Sequence, residues 1–258
     1  MSILYDVENG VAVVTIDRPE KKNALTQAMY GQLVAGLERA AADDDVRAVL
    51  IAGQPGIFTA GNELTEFLSA LPAQGGDAPV FHFMRALAGF DKPVVAAVTG
   101  DAVGIGVTLL LHCDLVYVAA GATLSLPFVK LGLVPEFAAS LLLPQRAGYL
   151  QAADALLLGT PIAAETAVEM GLANMVCPPE QVLDVAREVA ERFNALPADA
   201  VRQTKRLLKQ AQSARVTATM AEEIEAFSAR LGGPEVREAV AAFYEKRAPD
   251  FSGVGKAG

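Results

Sequence analysis

Two strand-like stretches, "ILYDVE" and "VAVVTID", flank Asn9-Gly10 near the start of the chain, and this dipeptide is a strong two-residue hairpin signal. Thr26 stands where a helix N-cap belongs, with Met29, Leu33 and Leu37 at helical spacing through about residue 42. The acidic run 43–45 closes that helix before the apolar strand "VRAVLIAG", which Pro55-Gly56 breaks. A helix is expected to begin near Asn62, "PVVAAVTG" (93–100) reads as the next strand, and a helix from Gly106 to about His112 leads into "DLVYVAA". Alternation of this kind predicts an α/β arrangement with strands covered by helices.

The pattern changes in the second half. From about residue 137 it is mostly helical, with the short strand-like "ANMVC" (173–177) as an exception. Pro178-Pro179 breaks the chain, and 180–196 reads as an amphipathic helix ending at Pro197. Three more helical stretches are expected at roughly 198–212, 216–231 and 234–247. A helical tail of this length cannot bury its apolar stripe on itself, so it is expected to pack on the core or on a neighbouring subunit. The expected division is a core domain over 1–196 and a helical oligomerisation region over 197–258.

Composition narrows the function classes. Of 258 residues, 52% are hydrophobic, and the mean hydropathy of +0.33 implies extensive burial. The longest apolar runs are far too short to span a bilayer, so no membrane association is expected. "MSILYDVENG" has no basic region followed by a long apolar segment, which makes the cytoplasm the expected compartment. Cys113 and Cys177 fit a reducing environment, and neither sits in a metal-ligand spacing, so no metal is expected. A net charge of −9 argues against a nucleic-acid partner, which would need a positive face. His82 and His112 lie in contexts that favour a packed or partly exposed ring over a catalytic one, and a Ser-His-Asp reading finds little support.

Two glycine-containing stretches carry candidate chemistry. "GIFTAGNELTEF" (56–67) and "GDAVGIGVTLLLHCDLVY" (100–117) each run from a strand end through glycine into a helix start. Free backbone N–H groups at two such starts make an oxyanion hole if they converge. Either stretch alone reads equally as a tight turn, and "GIGVTL" lacks the ending of a phosphate-binding P-loop. A third feature is Glu136 in "GLVPEFAAS" (132–140), with no basic residue between Lys130 and Arg146 to pair with it. A carboxylate in such company is either exposed at a helix start or kept for chemistry.

The segments "RPEKKNAL" (18–25), "FTAGNEL" (58–64), "AVGIGVTLLLHCDLVYVA" (102–119), "LGLVPE" (131–136), "AVEMGLANMV" (167–176) and "FYEKRAPDF" (243–251) together resemble the enoyl-CoA hydratase/isomerase, or crotonase, superfamily. That resemblance implies a spiral of ββα repeats followed by a C-terminal helical trimerisation region, with a homotrimer or dimer of trimers as the assembly. It implies an acyl-CoA thioester as substrate and no separate cofactor, since coenzyme A arrives on the substrate. By position, the oxyanion amides belong to Asn62 and Ile105. Lys22, Ala24, Leu25 and Ala60 match segments along the CoA path, and Lys246 matches a C-terminal lysine that contacts CoA phosphate. Lys22 and Lys246 read equally well as solvated surface lysines.

Departures from the pattern point to a subfamily. Hydratases of this group use two glutamates, but the matching positions hold Thr108 and Phe128. Glu136 stands where hydratases usually have glycine, and there the chain resembles Δ3,Δ2-enoyl-CoA isomerases of fatty acid β-oxidation, which use a single glutamate. The resemblance implies that Glu136 moves a proton from C2 to C4 of a 3-enoyl-CoA, within an apolar pocket from Phe128, Val134 and Phe137 that raises its pKa. Glu63 and Glu66 are expected to face solvent, with the pocket mouth as the alternative place for Glu63, and Asp114 is expected to serve structure. Alternatives are a ring-isomerising acyl-CoA enzyme of aromatic degradation, an atypical hydratase, and an inactive CoA- or RNA-binding homologue.

Overall fold

The computed structural model of the chain describes residues 2–64, 66 and 77–253. Strands β1 (Ile3–Glu8) and β2 (Val11–Ile16) pair antiparallel, Ile3 opposite Ile16. Asn9 and Gly10 both have positive φ, as a two-residue turn matching strand twist requires. Helix α1 (Gln27–Ala42) follows, and Thr26 caps it by accepting a 3.2 Å hydrogen bond from the Met29 amide.

Three strand pairs then alternate between two sheets. They are β3 (Ala48–Ala52) with β4 (Gly56–Thr59), β5 (Val94–Val98) with β6 (Gly100–Val103), and β7 (Leu115–Ala119) with β8 (Thr123–Ser125). The first strand of each pair joins a six-stranded sheet of order β1-β2-β3-β5-β7-β10, parallel except at β1, where β10 is Met175–Cys177. The second joins a four-stranded sheet, β4-β6-β8-β9, with β9 at Ile162–Ala163. Strands β3 and β5 are buried at every position, which is why they read as unbroken apolar runs. Helix α2 (Pro79–Ala88) lies between β4 and β5 in the chain and packs on α1. The helix expected near Asn62 is helical at Leu64 and Glu66, and its remainder lies outside the described residues.

After β6 the chain makes one helical turn, α3 (Ile105–Thr108), and tightens into a 3₁₀ turn over Leu109–His112. Helices α4 (Ala139–Ala147), α5 (Tyr149–Ala153), α6 (Ala164–Glu169) and α7 (Val182–Glu191) complete the middle of the chain. The helix expected over 180–196 is therefore α7 extended by a 3₁₀ turn over Arg192–Ala195.

The C-terminal region corrects one expectation. Residues 198–212 and 216–231 form a single 34-residue helix, α8 (Ala198–Leu231), followed by α9 (Pro234–Glu245). No glycine or proline interrupts 198–231, so nothing local ends the helix. Both its halves are anchored to the core. Lys205 pairs with Asp114 at 2.7 Å, and Glu223 accepts hydrogen bonds from Ala138 and Ser140 at the start of α4. Asp114 also accepts the Val94 amide at 2.7 Å, in keeping with a structural role. Among the described residues no helix is long and apolar enough to cross a membrane.

Candidate active site

The four-stranded sheet aligns the two glycine-containing segments. Thr59 of β4 lies opposite Ala102 of β6 in a parallel pair, and Asn62 and Ile105 each lie three residues beyond that pair. Gly61 has φ +84°, and a Cβ there would stand 2.8 Å from the Val103 carbonyl oxygen. Gly104 has φ +56°, and a Cβ on Gly106 would run into the Thr59 methyl group. Glycine is needed at Gly61 for its positive φ and its approach to the Val103 backbone, at Gly104 for its positive φ, and at Gly106 to make room for the Thr59 methyl group.

Both amides are directed by their neighbours. Leu25 bridges to Asn62 through its own N–H to the Gly61 carbonyl and through its carbonyl to the Glu63 N–H. In extended chain, successive amides point to opposite sides, so the Asn62 N–H faces away from Leu25. Ile105 is the first residue of α3, and its N–H has no acceptor within the helix.

The segment before α1 is stitched to the same place. Ala60 donates its N–H to the Lys22 carbonyl at 2.9 Å, and Thr59 donates its hydroxyl to the Asn23 carbonyl at 2.7 Å. Buried Asn23 donates in turn to the Phe58 carbonyl at 3.1 Å. Lys22, Ala24, Leu25, Ala60 and Asn62 therefore form one strip, with the Lys22 side chain exposed and Leu25 buried. Arg18 reaches the Ala24 carbonyl at 2.9 Å and pairs with Glu63 at 3.5 Å. Glu66 accepts the Gln27 amide at 3.3 Å. The two glutamates expected to face solvent thus hold the strip to its surroundings. Lys246 is exposed at the C-cap of α9 in a left-handed conformation, and no hydrogen bond among the described residues joins it to this strip.

Glu136 is 2% exposed, which removes the helix-start reading. Its Oε1 accepts a 2.6 Å hydrogen bond from the hydroxyl of Thr108, itself fully buried. Its Oε2 has no hydrogen-bond partner among the described residues. Burial pushes the carboxyl up to about 8; the Thr108 hydroxyl opposes that rise, and the nearby Glu223 adds to it. Thr108 lies one turn beyond Ile105 on the same short helix, so the amide at the head of α3 and the carboxyl held at its end belong to one site.

The turn that presents Glu136 is held in an uncommon shape. Phe137 and Ala138 have φ of +62° and +57°, so α4 starts at Ala139 and not near 137. Side chains with a Cβ rarely adopt this conformation and need outside support. Glu223 supplies it from α8, accepting from the Ala138 N–H at 2.6 Å, the Ser140 N–H at 2.9 Å and the Ser140 hydroxyl at 2.5 Å. His112 supplies the rest. Burial pushes its imidazole down to about 3, so it is neutral; its Nε2–H donates to the Phe137 carbonyl at 2.8 Å, and its ring stacks on Phe137 at 3.9 Å. His112 is thus a packed histidine, and His82 is exposed. Phe128 and Phe137 are buried and Val134 is half-buried.

Two site-forming residues were not anticipated from the sequence, Glu223 and Tyr30. Glu223 occupies an apolar stripe with Met220, Phe227 and Leu231, all buried, and a lone acid on such a stripe is the signal that could have found it. Tyr30 lies on the buried face of α1 with Leu33 and Leu37, where its hydroxyl needs a partner. It donates to the Asn62 side-chain oxygen at 2.5 Å.

A carboxyl with a pKa near neutrality can take up and return a proton, and backbone amides brought to one point can hold an oxyanion. The family model for enoyl-CoA hydratase/isomerase matches residues 6–254. The 1,2-epoxyphenylacetyl-CoA isomerase of Escherichia coli (strain K12) is 35% identical over 97% of this chain and 98% of its own. Enoyl-CoA delta isomerase 2 of Rattus norvegicus is 34% identical over 95% of this chain and 64% of its own. A crystal structure of an enoyl-CoA hydratase/isomerase from Pseudoalteromonas atlantica T6c superposes with a TM-score of 0.93 at 40% identity, covering 98% of this chain and 100% of that one. Both hydratases and isomerases occur by name among the relatives.

Proposed function

The chain belongs to the enoyl-CoA hydratase/isomerase family, and from that premise we propose that it shifts the double bond of a 3-enoyl-CoA to the 2-position, with Glu136 as the only proton shuttle. The observation that carries this reading is the Glu136 carboxyl, buried, held by Thr108 through one oxygen and unpartnered at the other. Ionised Glu136 removes a C2 proton, and the C2–H electron pair enters the thioester. The resulting dienolate oxygen rests on the N–H groups of Asn62 and Ile105. Protonated Glu136 then delivers the proton to C4, and the double bond ends between C2 and C3.

Water addition needs a second group to activate water or protonate carbon. Thr108 and Phe128 offer none, and both Glu223 oxygens are committed to the Ala138–Ser140 segment. An apolar surround supports the same reading by raising the carboxyl pKa and excluding water from the dienolate. Lys22, Ala24, Leu25 and Ala60 would line the CoA path, with Lys246 on a CoA phosphate from a neighbouring subunit. Self-association as a homotrimer or dimer of trimers belongs to this proposal. It is supported by the exposed Leu150, Leu157, Leu158, Leu207 and Leu208, and sedimentation would test it.

The deciding assay follows 3-hexenoyl-CoA and 2-hexenoyl-CoA with wild type and Glu136→Gln. Isomerisation by wild type that is lost in Glu136→Gln is expected. Isomerisation surviving the substitution would overturn the role of Glu136, and robust hydration by wild type would overturn the reaction. A second reading, isomerisation of a ring epoxide on an aromatic acyl-CoA, is favoured by the 35% identity to 1,2-epoxyphenylacetyl-CoA isomerase. Turnover of that epoxide in place of 3-hexenoyl-CoA would select it.

A further inference from the structure

We propose that Tyr30 is a positioning residue for the oxyanion site, holding Asn62 through its phenol hydroxyl so that the Asn62 N–H stays aimed at the thioester oxygen. Asn62 is half-buried, so packing alone does not fix it. It follows Gly61, whose φ of +84° marks a turn, and Leu25 fixes only the flanking Gly61 carbonyl and Glu63 amide. An amide that must meet an oxyanion within a few tenths of an ångström needs a further restraint. The side chain of the same residue provides a handle, and Tyr30 grips it at 2.5 Å.

Tyr30 is well built for this. It is fully buried, and it sits on α1 one turn after the Thr26 cap, so its own backbone is rigid. Phe83 of α2 packs on its ring at 5.7 Å between centroids, and the opposite contact of Phe83 is edge-on to Phe137 at 6.2 Å. An unbroken aromatic chain thus joins the residue that carries the amide to the residue next to Glu136. Burial, and then the Glu136 charge, raise the phenol well above its ordinary value. The hydroxyl therefore remains a hydrogen donor whichever state Glu136 is in, and it does not compete for the shuttled proton.

The inference rests on the reading of Glu136 and the two amides given above. Its test compares wild type, Tyr30→Phe, Asn62→Ala, the double variant and Glu136→Gln on 3-hexenoyl-CoA. It adds the thioester carbonyl stretch of 2-hexenoyl-CoA bound to each. Tyr30→Phe is expected to lower kcat about tenfold with KM within about twofold, since an oriented donor acts chiefly in the transition state. The bound carbonyl stretch should move back toward its value in water. Once Asn62→Ala has removed the handle, Tyr30→Phe should cost less than about twofold more. Unchanged kcat, a loss confined to KM, or the same loss in both backgrounds would overturn the inference. If Tyr30→Phe fails to fold, Asn62→Ala alone reads the bond from its other end, and an unchanged kcat there overturns it equally. Activity persisting in Glu136→Gln would instead overturn the functional reading, and the carbonyl stretch, which needs only a bound thioester, would still report on Tyr30.

Discussion

The hydroxyl of Thr108 donates a 2.6 Å hydrogen bond to Oε1 of Glu136, across a separation of 28 residues. This bond joins two positions that matter to the reaction class. Position 108 is where the resemblance to hydratases calls for an acid, and the threonine there instead holds the acid at 136. Burial drives the Glu136 carboxyl upward and the Thr108 hydroxyl draws it back, leaving it at about 8. Threonine therefore tunes the Glu136 carboxyl without adding a second acid.

The pH dependence follows from that balance. Glu136 must be ionised to act as base, so kcat/KM for 3-hexenoyl-CoA should rise tenfold per pH unit and level off near 8. Thr108→Val keeps the shape and removes the hydroxyl, so the carboxyl should rise further and the plateau move to higher pH. At pH 7 this should lower kcat/KM by roughly three- to tenfold, shrinking above pH 9. A rate profile that does not shift in Thr108→Val would refute the tuning role.

Stability should carry the same signature with the opposite use of the proton. The Glu136 pKa is raised on folding from 4.5 to about 8, so the folded state holds a proton that the unfolded chain releases. Its contribution to stability is complete below about 4.5 and is lost as pH rises through 8, at up to about 1.4 kcal/mol per pH unit. Glu136→Gln cannot ionise. Its stability relative to wild type, from urea unfolding, should increase by a few kcal/mol between pH 5 and pH 8.5. A difference independent of pH would show that Glu136 is not buried as a neutral acid.

How much of this was legible depended on how far each cause lay along the chain. The Asn9-Gly10 hairpin and the Thr26 cap are decided within a few residues, and both formed where the pattern put them. Buried strands β3 and β5 announced themselves as apolar runs. The shape of the turn at Phe137 and Ala138 was not legible, because Glu223 and His112 impose it from 85 and 25 residues away. For the same reason the Glu136 segment alone left an exposed helix start and a buried acid equally open. Tyr30 read as one more member of a helical stripe, since nothing local reveals that its hydroxyl meets Asn62. Unbroken α8 was a different failure, as the absence of glycine and proline from 198 to 231 was there to be used.

Glu223 should behave as the anchor of the turn. Glu223→Ala leaves the Ala138 and Ser140 amides without their acceptor, at about 1–3 kcal/mol for each buried donor that water cannot reach. A loss of about 2–4 kcal/mol in urea unfolding is expected, with kcat falling more than KM changes, because Glu136 is presented by the loosened segment. Ser140→Ala removes only the hydroxyl bond and should cost about 0.5–1.5 kcal/mol. Equal effects of the two substitutions would place the anchor elsewhere.

Gly61 offers a test of whether the approach of the two segments is required. Alanine at this position must adopt a φ of +84°, and its Cβ would stand 2.8 Å from the Val103 carbonyl oxygen, a backbone atom that cannot rotate away. Strain and overlap together should destabilise Gly61→Ala by about 2–3 kcal/mol, and the displaced Asn62 amide should lower kcat by more than about tenfold. Gly31→Ala is the matched control. Gly31 lies on the exposed face of α1 at ordinary helical φ, and a Cβ there would meet nothing within 4 Å. That substitution should stabilise the fold by about 0.5–1 kcal/mol and leave kcat unchanged, because alanine loses less conformational freedom than glycine in a helix. If Gly61→Ala keeps both stability and kcat while Gly31→Ala behaves as expected, the junction at Val103 does not set the position of the amide.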